Sequence, residues 1–360
     1  MDDEVWAIEQ AMRAAQARLG IIGAYLSLIE WGAVSPSSPL QTGDDWVASA
    51  LRMIAALREH SRAVAQTYYQ LARAIDSGYT LGMPEGVDNE DDVTLALLRE
   101  RFADAVIGVA SLGTGHHTGA STDSAWLDRL LQDADIDGSD ANARSVNLRA
   151  TDMSGVLDDL FAGFRQNNTV VGVDRYLWPI NWTAEQIAAA YEDMLRREAL
   201  EAQASKAKVH ELNQELTHDE YLARTEADHY LSGSRGAGVA DWASVSAGRQ
   251  IITQAGRRDP RLKAVGRGVG PNPCAWCSML ASRGYSYVSE GTAGFSDDGV
   301  SQWHLNCHCF PIVRWIISAG LPPQNKFFKD QWPVVTKGYS GRAALNKWRR
   351  WLAEQRRKNN

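Results

Sequence analysis

The sequence predicts a mainly α-helical protein: long helices fill the N-terminal two-thirds, and a small α+β module and a basic tail follow them. Three observations carry that prediction. Apolar residues recur at steps of three and four through much of the first half. All four cysteines fall between positions 274 and 309, as if one short stretch had its own means of holding together. The charge is divided as well. From Pro311 onward there are 11 Lys/Arg against 2 Asp/Glu, a net of +9, so the residues before it carry −16 within an overall −7.

A chain of 360 residues, 44% hydrophobic and 22% charged, can bury two or three domains and does not have the composition of a disordered protein. Its net charge argues against a dedicated nucleic-acid binder, while the basic C-terminus reads as an interaction surface on an acidic body. Met1-Asp2-Asp3-Glu4 is not the basic opening of a secretory signal. The apolar run Leu19 to Ile29 is far shorter than the ~20 residues a membrane span needs. A soluble protein made in a cytoplasm, without a membrane partner, is expected.

Residues 1–182 read as a helical N-terminal region. A first helix is expected from about Glu4 to Trp31. In the second, Val47, Ala50, Ile54, Leu57, Val64, Tyr68, Leu71 and Ile75 share one face, with Ser61 in the one gap. Thr42 or Asp44 can cap its start, and Gly78 marks its end. Asp91 to Ala110 makes a third helix through Leu95, Leu98, Phe102, Val106 and Val109. The Gly-, Ser- and Asp-rich stretch from Ser111 to Ala150 reads as loops around a short helix at Ser124–Gln132. His116 and His117 lie there without a cluster of partner ligands nearby, and are read as solvated loop residues.

Trp178 to Trp182 marks a boundary, and residues 183–256 read as a long helical arm. Thr183-Ala184-Glu185-Gln186 has the chemistry of a helix start. Leu195, Ala202, Val209 and Leu216 then recur every seven residues, a thin seam that suits either an arm packed on another helix or subunit, or an ordinary surface helix. Gly233 to Gly238 reads as a loop, followed by a helix from about Val239 to Ala255 that ends at Gly256. The basic, Gly- and Pro-broken stretch Arg257 to Pro273 reads as the next boundary.

Residues 257–318 hold the most specific signal. Cys274-Ala-Trp-Cys277 is followed, after a 26-residue spacer, by His304-Leu-Asn-Cys307-His-Cys309. A Cys-x-x-Cys turn aims two thiolates at one point, half of a tetrahedral zinc site. If Cys307 to Trp315 is a strand, Cys307 and Cys309 face one side and His308 the other, while His304 can swing back toward the same point. Cys274, Cys277 and Cys307, with either Cys309 or His304 as the fourth ligand, fit Zn²⁺ better than four unmetallated or disulfide-paired thiols. The spacer from Gly284 to Ser301 buries too little apolar surface to order itself, so the metal is expected to be structural.

Gly248-Arg249-Gln250, Cys274-Ala-Trp-Cys277-Ser-Met-Leu-Ala-Ser-Arg-Gly284 and Trp303-His304-Leu-Asn-Cys307-His-Cys309 together resemble the C-terminal domain of MuF-like minor capsid proteins. These belong to the head-morphogenesis family of tailed phages, in the version common among phages of actinobacteria. The resemblance covers about Val239 to Trp315. It implies a low-copy structural protein of the virion, at the portal vertex or the head interior, that meets portal or major capsid protein during head assembly or genome delivery. It also implies Cys274, Cys277, His304, Cys307 and Cys309 as the characteristic positions and leaves His308 out. Some relatives carry a fused protease or toxin domain, and no triad-like cluster of that kind is seen here.

Two other readings compete with this one. A zinc-dependent nucleobase or nucleoside deaminase needs His-x-Glu ahead of Pro-Cys-x-x-Cys, and His218-Asp219-Glu220 with Cys274 and Cys277 matches literally. Against it, the intervening sequence reads as helix and basic loop, and the His304/Cys307/Cys309 cluster would go unused. The second is a zinc-containing DNA-binding module. In the basic tail, 319–360, Trp348 and Trp351 interleave with Lys347, Arg349, Arg350, Arg356, Arg357 and Lys358, a mix suited to phosphates and bases of packaged DNA. The plainer reading of the tail is an amphipathic helix docked on an acidic surface.

Overall fold

The computed structural model describes residues 2–78, 95–110, 112, 183–213, 216–270, 273–285, 307–316 and 319–359. Among the described residues the fold is mainly α, with one two-stranded ribbon in the C-terminal part. Among the described residues, no helix is long and apolar enough to cross a membrane. The readings at Ser124–Gln132, His116, His117, Trp178–Trp182 and His304 lie outside the described residues.

Helix α1 spans Asp2–Trp31, the short α2 Pro39–Thr42 and α3 Asp44–Ser77. All eight apolar residues that define the α3 stripe are buried. The gap residue, Ser61, is buried too: its hydroxyl donates to Gln16 Oε1 at 2.7 Å and accepts the Gly248 N–H at 3.0 Å. A polar side chain is tolerated there because neighbouring helices satisfy it. Helix α3 ends at Gly78, whose φ of 72° closes the last turn with its N–H on the Ala74 carbonyl. Its start is set by Gly43, without a side-chain cap, rather than by Thr42 or Asp44. Helix α4, Leu95–Ala110, lays Leu98, Phe102 and Val109 against this pair.

The next helical stretch is α5 (Ala184–Leu195), a π-helical turn (Arg196–Glu201) and α6 (Ala202–Leu212). Thr183 and Gln186 form a reciprocal capping box at its start. The sevenfold seam does not hold. The π turn shifts the register, so Ala199, Leu200, Gln203 and Ala207 are buried, while Val209 is 63% exposed.

Helix α7 runs unbroken over 41 residues, His218–Arg258, so the expected loop at Gly233–Gly238 is helix. Tertiary packing overrides the weak helix propensity of glycine. The missing side chains let two tryptophans reach the α7 backbone: a Cβ built on Gly233 would lie 2.2 Å from Trp31 Cδ1, and one on Gly236 2.7 Å from the Trp46 ring. Trp31 donates its indole N–H to the His229 carbonyl at 2.9 Å and stacks on the His229 ring. The substitution Gly233→Ala is expected to destabilise the protein by about 1–3 kcal/mol, because a packed Trp31 has to move. A shift of the urea midpoint, followed by tryptophan fluorescence, measures this; an unchanged midpoint rules out the tight packing.

Helices α1, α3 and α7 form the central bundle. Arg58 on α3 ties it together, donating to Tyr191 of α5 and to Ser246 and the Ala243 carbonyl of α7. Beyond α7, the basic stretch contains a strand that composition did not signal: β1, Ala264–Gly268, pairs antiparallel with β2, Phe310–Arg314, with Gly266 opposite Ile312. Helix α8, Ala275–Ser282, lies between them in sequence. The ribbon joins the bundle through a dense polar seam. Arg314 makes a two-pronged ion pair with Asp76 of α3, at 2.8 and 2.9 Å, with both side chains fully buried. Asp259, at the end of α7, accepts from Tyr69, Arg73 and the Trp315 indole.

The expected tail is folded into the module. Helices α9 (Pro323–Val335) and α10 (Gly341–Asn359) pack on α8 around a second core that holds Cys277, Met279, Leu280, Phe328, Trp348 and Leu352. Asn325, fully buried, donates to the carbonyls of Arg267 and Ala281, and Trp348 donates to Ser278 Oγ at 2.8 Å.

Candidate metal centre

Cys274 is the N-cap of α8, and its Sγ accepts the Cys277 N–H at 3.2 Å. This turn presents Cys277 inward from the first turn of the helix. Cys307 and Cys309 come from the extended lead-in to β2, which begins only at Phe310, and alternation puts both on the inner side. The thiols of Cys277, Cys307 and Cys309 all lie within 4.8 Å of one another, and all three residues are buried. Cys277 Sγ and Cys307 Sγ are 3.4 Å apart. These three sulfurs could hold a metal ion.

His308 points the other way, its Nε2 2.9 Å from Asp241 Oδ1 on α7. Burial disfavours its cation, but the Asp241 carboxylate outweighs that and raises its pKa. Gly20 on α1 leaves the room Asp241 occupies, since a Cβ there would sit 1.9 Å from Asp241 Oδ1. The contact fastens the cysteine strand to the bundle.

Two arginines that composition did not single out as site residues complete the surroundings. Arg267 on β1 is 4% exposed and directs Nη1 at Cys277 Sγ, 3.6 Å away. Arg249 on α7 is 2% exposed; its Nε donates to the Cys309 carbonyl at 3.0 Å and its Nη2 to the Cys307 carbonyl. Hydrogen bonding with Cys274 opposes ionisation of Cys277, but hydrogen bonds from the Cys307 and Cys309 thiols prevail and bring its pKa down to about 5. Burial pushes Cys309 up, as do its hydrogen bonds to the other two sulfurs.

The deaminase pair is not brought to this site. Glu220 is spent on the start of α7, where its carboxylate accepts from the Thr217 N–H at 2.9 Å and Thr217 caps in return. At 1.5 Å per residue, that end of the helix lies roughly 40 Å from Arg249 and the cysteines. The tail residues offered for base stacking are also committed elsewhere. Trp348 is fully buried and stacks on Trp351, its ring 4.7 Å away, while Arg356 donates to the Pro273 carbonyl at 2.6 Å.

A helical bundle carrying a compact thiol-centred module on a polar seam is the class that fold and site define. Residues 149–325, just under half of the chain, match the family described as VG15 protein, which points to a phage-encoded protein. The match takes in α5 to α7, both strands and all four cysteines, and leaves out the first three long helices. Comparison with curated proteins and with solved structures gives no match.

Proposed function

We propose that this chain is a structural minor capsid protein of a tailed phage, with no catalytic role of its own. In this reading it sits at the portal vertex or in the head interior, in several copies per virion, and touches portal or major capsid protein. The observation that carries it is the thiol cluster: among the described residues, three cysteine sulfurs converge in a buried site and no carboxylate belongs to the group, the arrangement of a structural rather than a hydrolytic metal site. The similarity to VG15 protein and the resemblance to MuF-like proteins point the same way.

The metal that suits such a site is Zn²⁺, with Cys274, Cys277, Cys307 and Cys309 as ligands and His304 as the remaining candidate. Bound zinc would supply a cross-link between α8 and the lead-in to β2, and so hold the module closed. The outer face of α10, with Arg342, Lys347, Arg349, Arg350 and Arg357 exposed, suits the acidic surface of a partner or the phosphates of packaged DNA. Without exposed stacking from Trp348, such DNA contact is electrostatic and weakens steeply with salt.

The test is protein mass spectrometry on purified virions and on empty head intermediates of the phage that encodes the chain. The expected result is the full chain in both, co-purifying with portal protein after the particles are opened. Its absence from heads at every stage sinks the reading. Turnover of a nucleoside by the purified zinc-loaded chain, lost in Glu220→Gln, would replace it with the deaminase.

A further inference from the structure

We propose that copies of this chain bind one another head to tail: the acidic arm formed by α5, α6 and the first half of α7 in one copy docks on the basic α9–α10 hairpin of the next. This rests on the reading above that gives α10 an acidic partner surface, and it names that surface.

The arm carries an apolar face that its own chain leaves open. Before Gly233, helix α7 is covered on one side only. Thr225 and Ser232 are buried, while Leu222, Ala223, Ala227, Tyr230 and Leu231 are exposed. At 3.6 residues per turn these five share one side of the helix with the exposed acids Asp219, Glu220 and Glu226. Val209 and Leu212, at the end of the preceding helix α6, are exposed as well. Single apolar residues on a surface are ordinary, but a contiguous set rimmed by charge marks a contact site.

Charge says what covers it. Residues 183–231 hold 11 Asp/Glu and 5 Lys/Arg, a net of −6, whereas residues 323–359 hold 10 Lys/Arg and 2 Asp/Glu, a net of +8. The basic hairpin also offers apolar surface. Exposed Phe327 stacks on half-buried Trp351, their ring centroids 6.0 Å apart, and Lys347 lies over the exposed Tyr339 ring. Aromatic rings among arginines suit the centre of a protein contact. Duplex DNA would meet the arginines, but it would be repelled by the arm and leave the apolar face of α7 in water. A second copy covers both surfaces with one contact. Both are exposed in the same chain, so they do not cover one another. A contact between two different surfaces repeats from copy to copy, and closes into a ring where the rotation per step allows.

The test is sedimentation velocity on the full chain over a range of concentration and salt. It compares the wild type with an arm variant, Leu222→Ala with Tyr230→Ala, and a hairpin variant, Arg349→Glu with Arg350→Glu. All four positions are exposed, so both variants should keep the fold, which circular dichroism checks. The wild type should assemble beyond a dimer as concentration rises, and less so as salt screens the charges. Each variant alone should associate at least ~10-fold more weakly, the scale of losing an aromatic anchor or opposing like charges. A mixture of the two variants should form dimers and stop there, because each brings one intact surface. Unchanged association in either variant overturns the role of the surface it alters. A wild type that stops at a symmetric dimer, or a mixture that stays monomeric, overturns the head-to-tail arrangement. A wild type that stays monomeric throughout overturns the inference; if that monomer binds duplex DNA and the hairpin variant does not, α10 keeps a partner and only the contact between copies falls. Detection of the chain in virions tests the reading above separately from all of these results.

Discussion

Asp76→Ala is expected to cost about 3–5 kcal/mol, the range for removing one partner of a buried ion pair. The reason lies in what would be left behind. Arg314 is fully buried, and its two contacts to Asp76, at 2.8 and 2.9 Å, are joined by the Trp315 amide on the same carboxylate at 2.9 Å. Without Asp76, a guanidinium and an amide lose their acceptor in a place water does not reach. The ion pair also joins the module to the bundle, so the damage should fall on their docking. Urea unfolding measures the loss, and hydrogen exchange locates it at β2 and the end of α3. The double variant Asp76→Leu with Arg314→Met, which removes both charges, should recover most of the stability. A cost below about 1 kcal/mol for Asp76→Ala would show that the pair is solvated.

Glu9→Gln should do the opposite, and only at higher pH. Glu9 on α1 is 1% exposed, with Arg13 3.7 Å away, and neither carboxylate oxygen has a hydrogen-bond partner among the described residues. Burial raises its pKa from 4.5 to about 7, against the pull of Arg13 and Arg314. Arg314 is already committed to Asp76, and the Tyr68 and Tyr285 hydroxyls facing the same space are themselves pushed up by burial. The folded protein therefore holds a proton on Glu9 that the unfolded chain releases near pH 4.5. That linkage favours the fold fully below pH 4.5 and is lost as pH rises to about 7. The shift amounts to about 3 kcal/mol. Glutamine imitates the protonated acid, so the variant should match the wild type at pH 4 and exceed it by up to about 3 kcal/mol at pH 8.5. Equal stability of the two proteins at both pH values would mean that Glu9 is ionised and hydrated in the fold.

The helices α1 and α3 were legible because their burial is one-sided and regular, so periodicity alone marks the buried face. Helix α7 was legible at its C-terminal end, read to Gly256 against Arg258, but its start at Thr217 was not marked and its middle was misread. Gly233 and Gly236 resemble a loop in sequence because their role, making room for Trp31 and Trp46, belongs to residues some 200 positions away. The π turn at Arg196–Glu201 has no compositional mark, and it is what breaks the sevenfold seam. Strand β1 was missed because Ala-Val-Gly-Arg-Gly has little strand preference and is defined by its pairing with β2. At the site, cysteine spacing pointed to one centre. Arg249 stood only within the Gly248-Arg249-Gln250 run of the resemblance, with no role attached, and Arg267 did not stand out at all, since a buried charged residue looks like any surface one until its surroundings are known. Trp348 and Trp351 were misjudged for a related reason: tryptophans among basic residues look alike whether they face a ligand or pack on another helix.

The unbroken α7 also sets the order in which the chain can fold. Trp31 finds the His229 carbonyl 198 residues downstream, and Asp76 finds Arg314 238 residues downstream. On a ribosome adding about 5–20 residues per second, those partners emerge roughly ten to fifty seconds later. Helices α1 and α3 can pair early, as neighbours joined by a short connection, but the face that α7 will cover stays open throughout that interval. The nascent protein therefore carries a long-lived apolar groove, and its assembly is governed by the late arrival of one helix that closes the bundle and then delivers the ribbon to its seam.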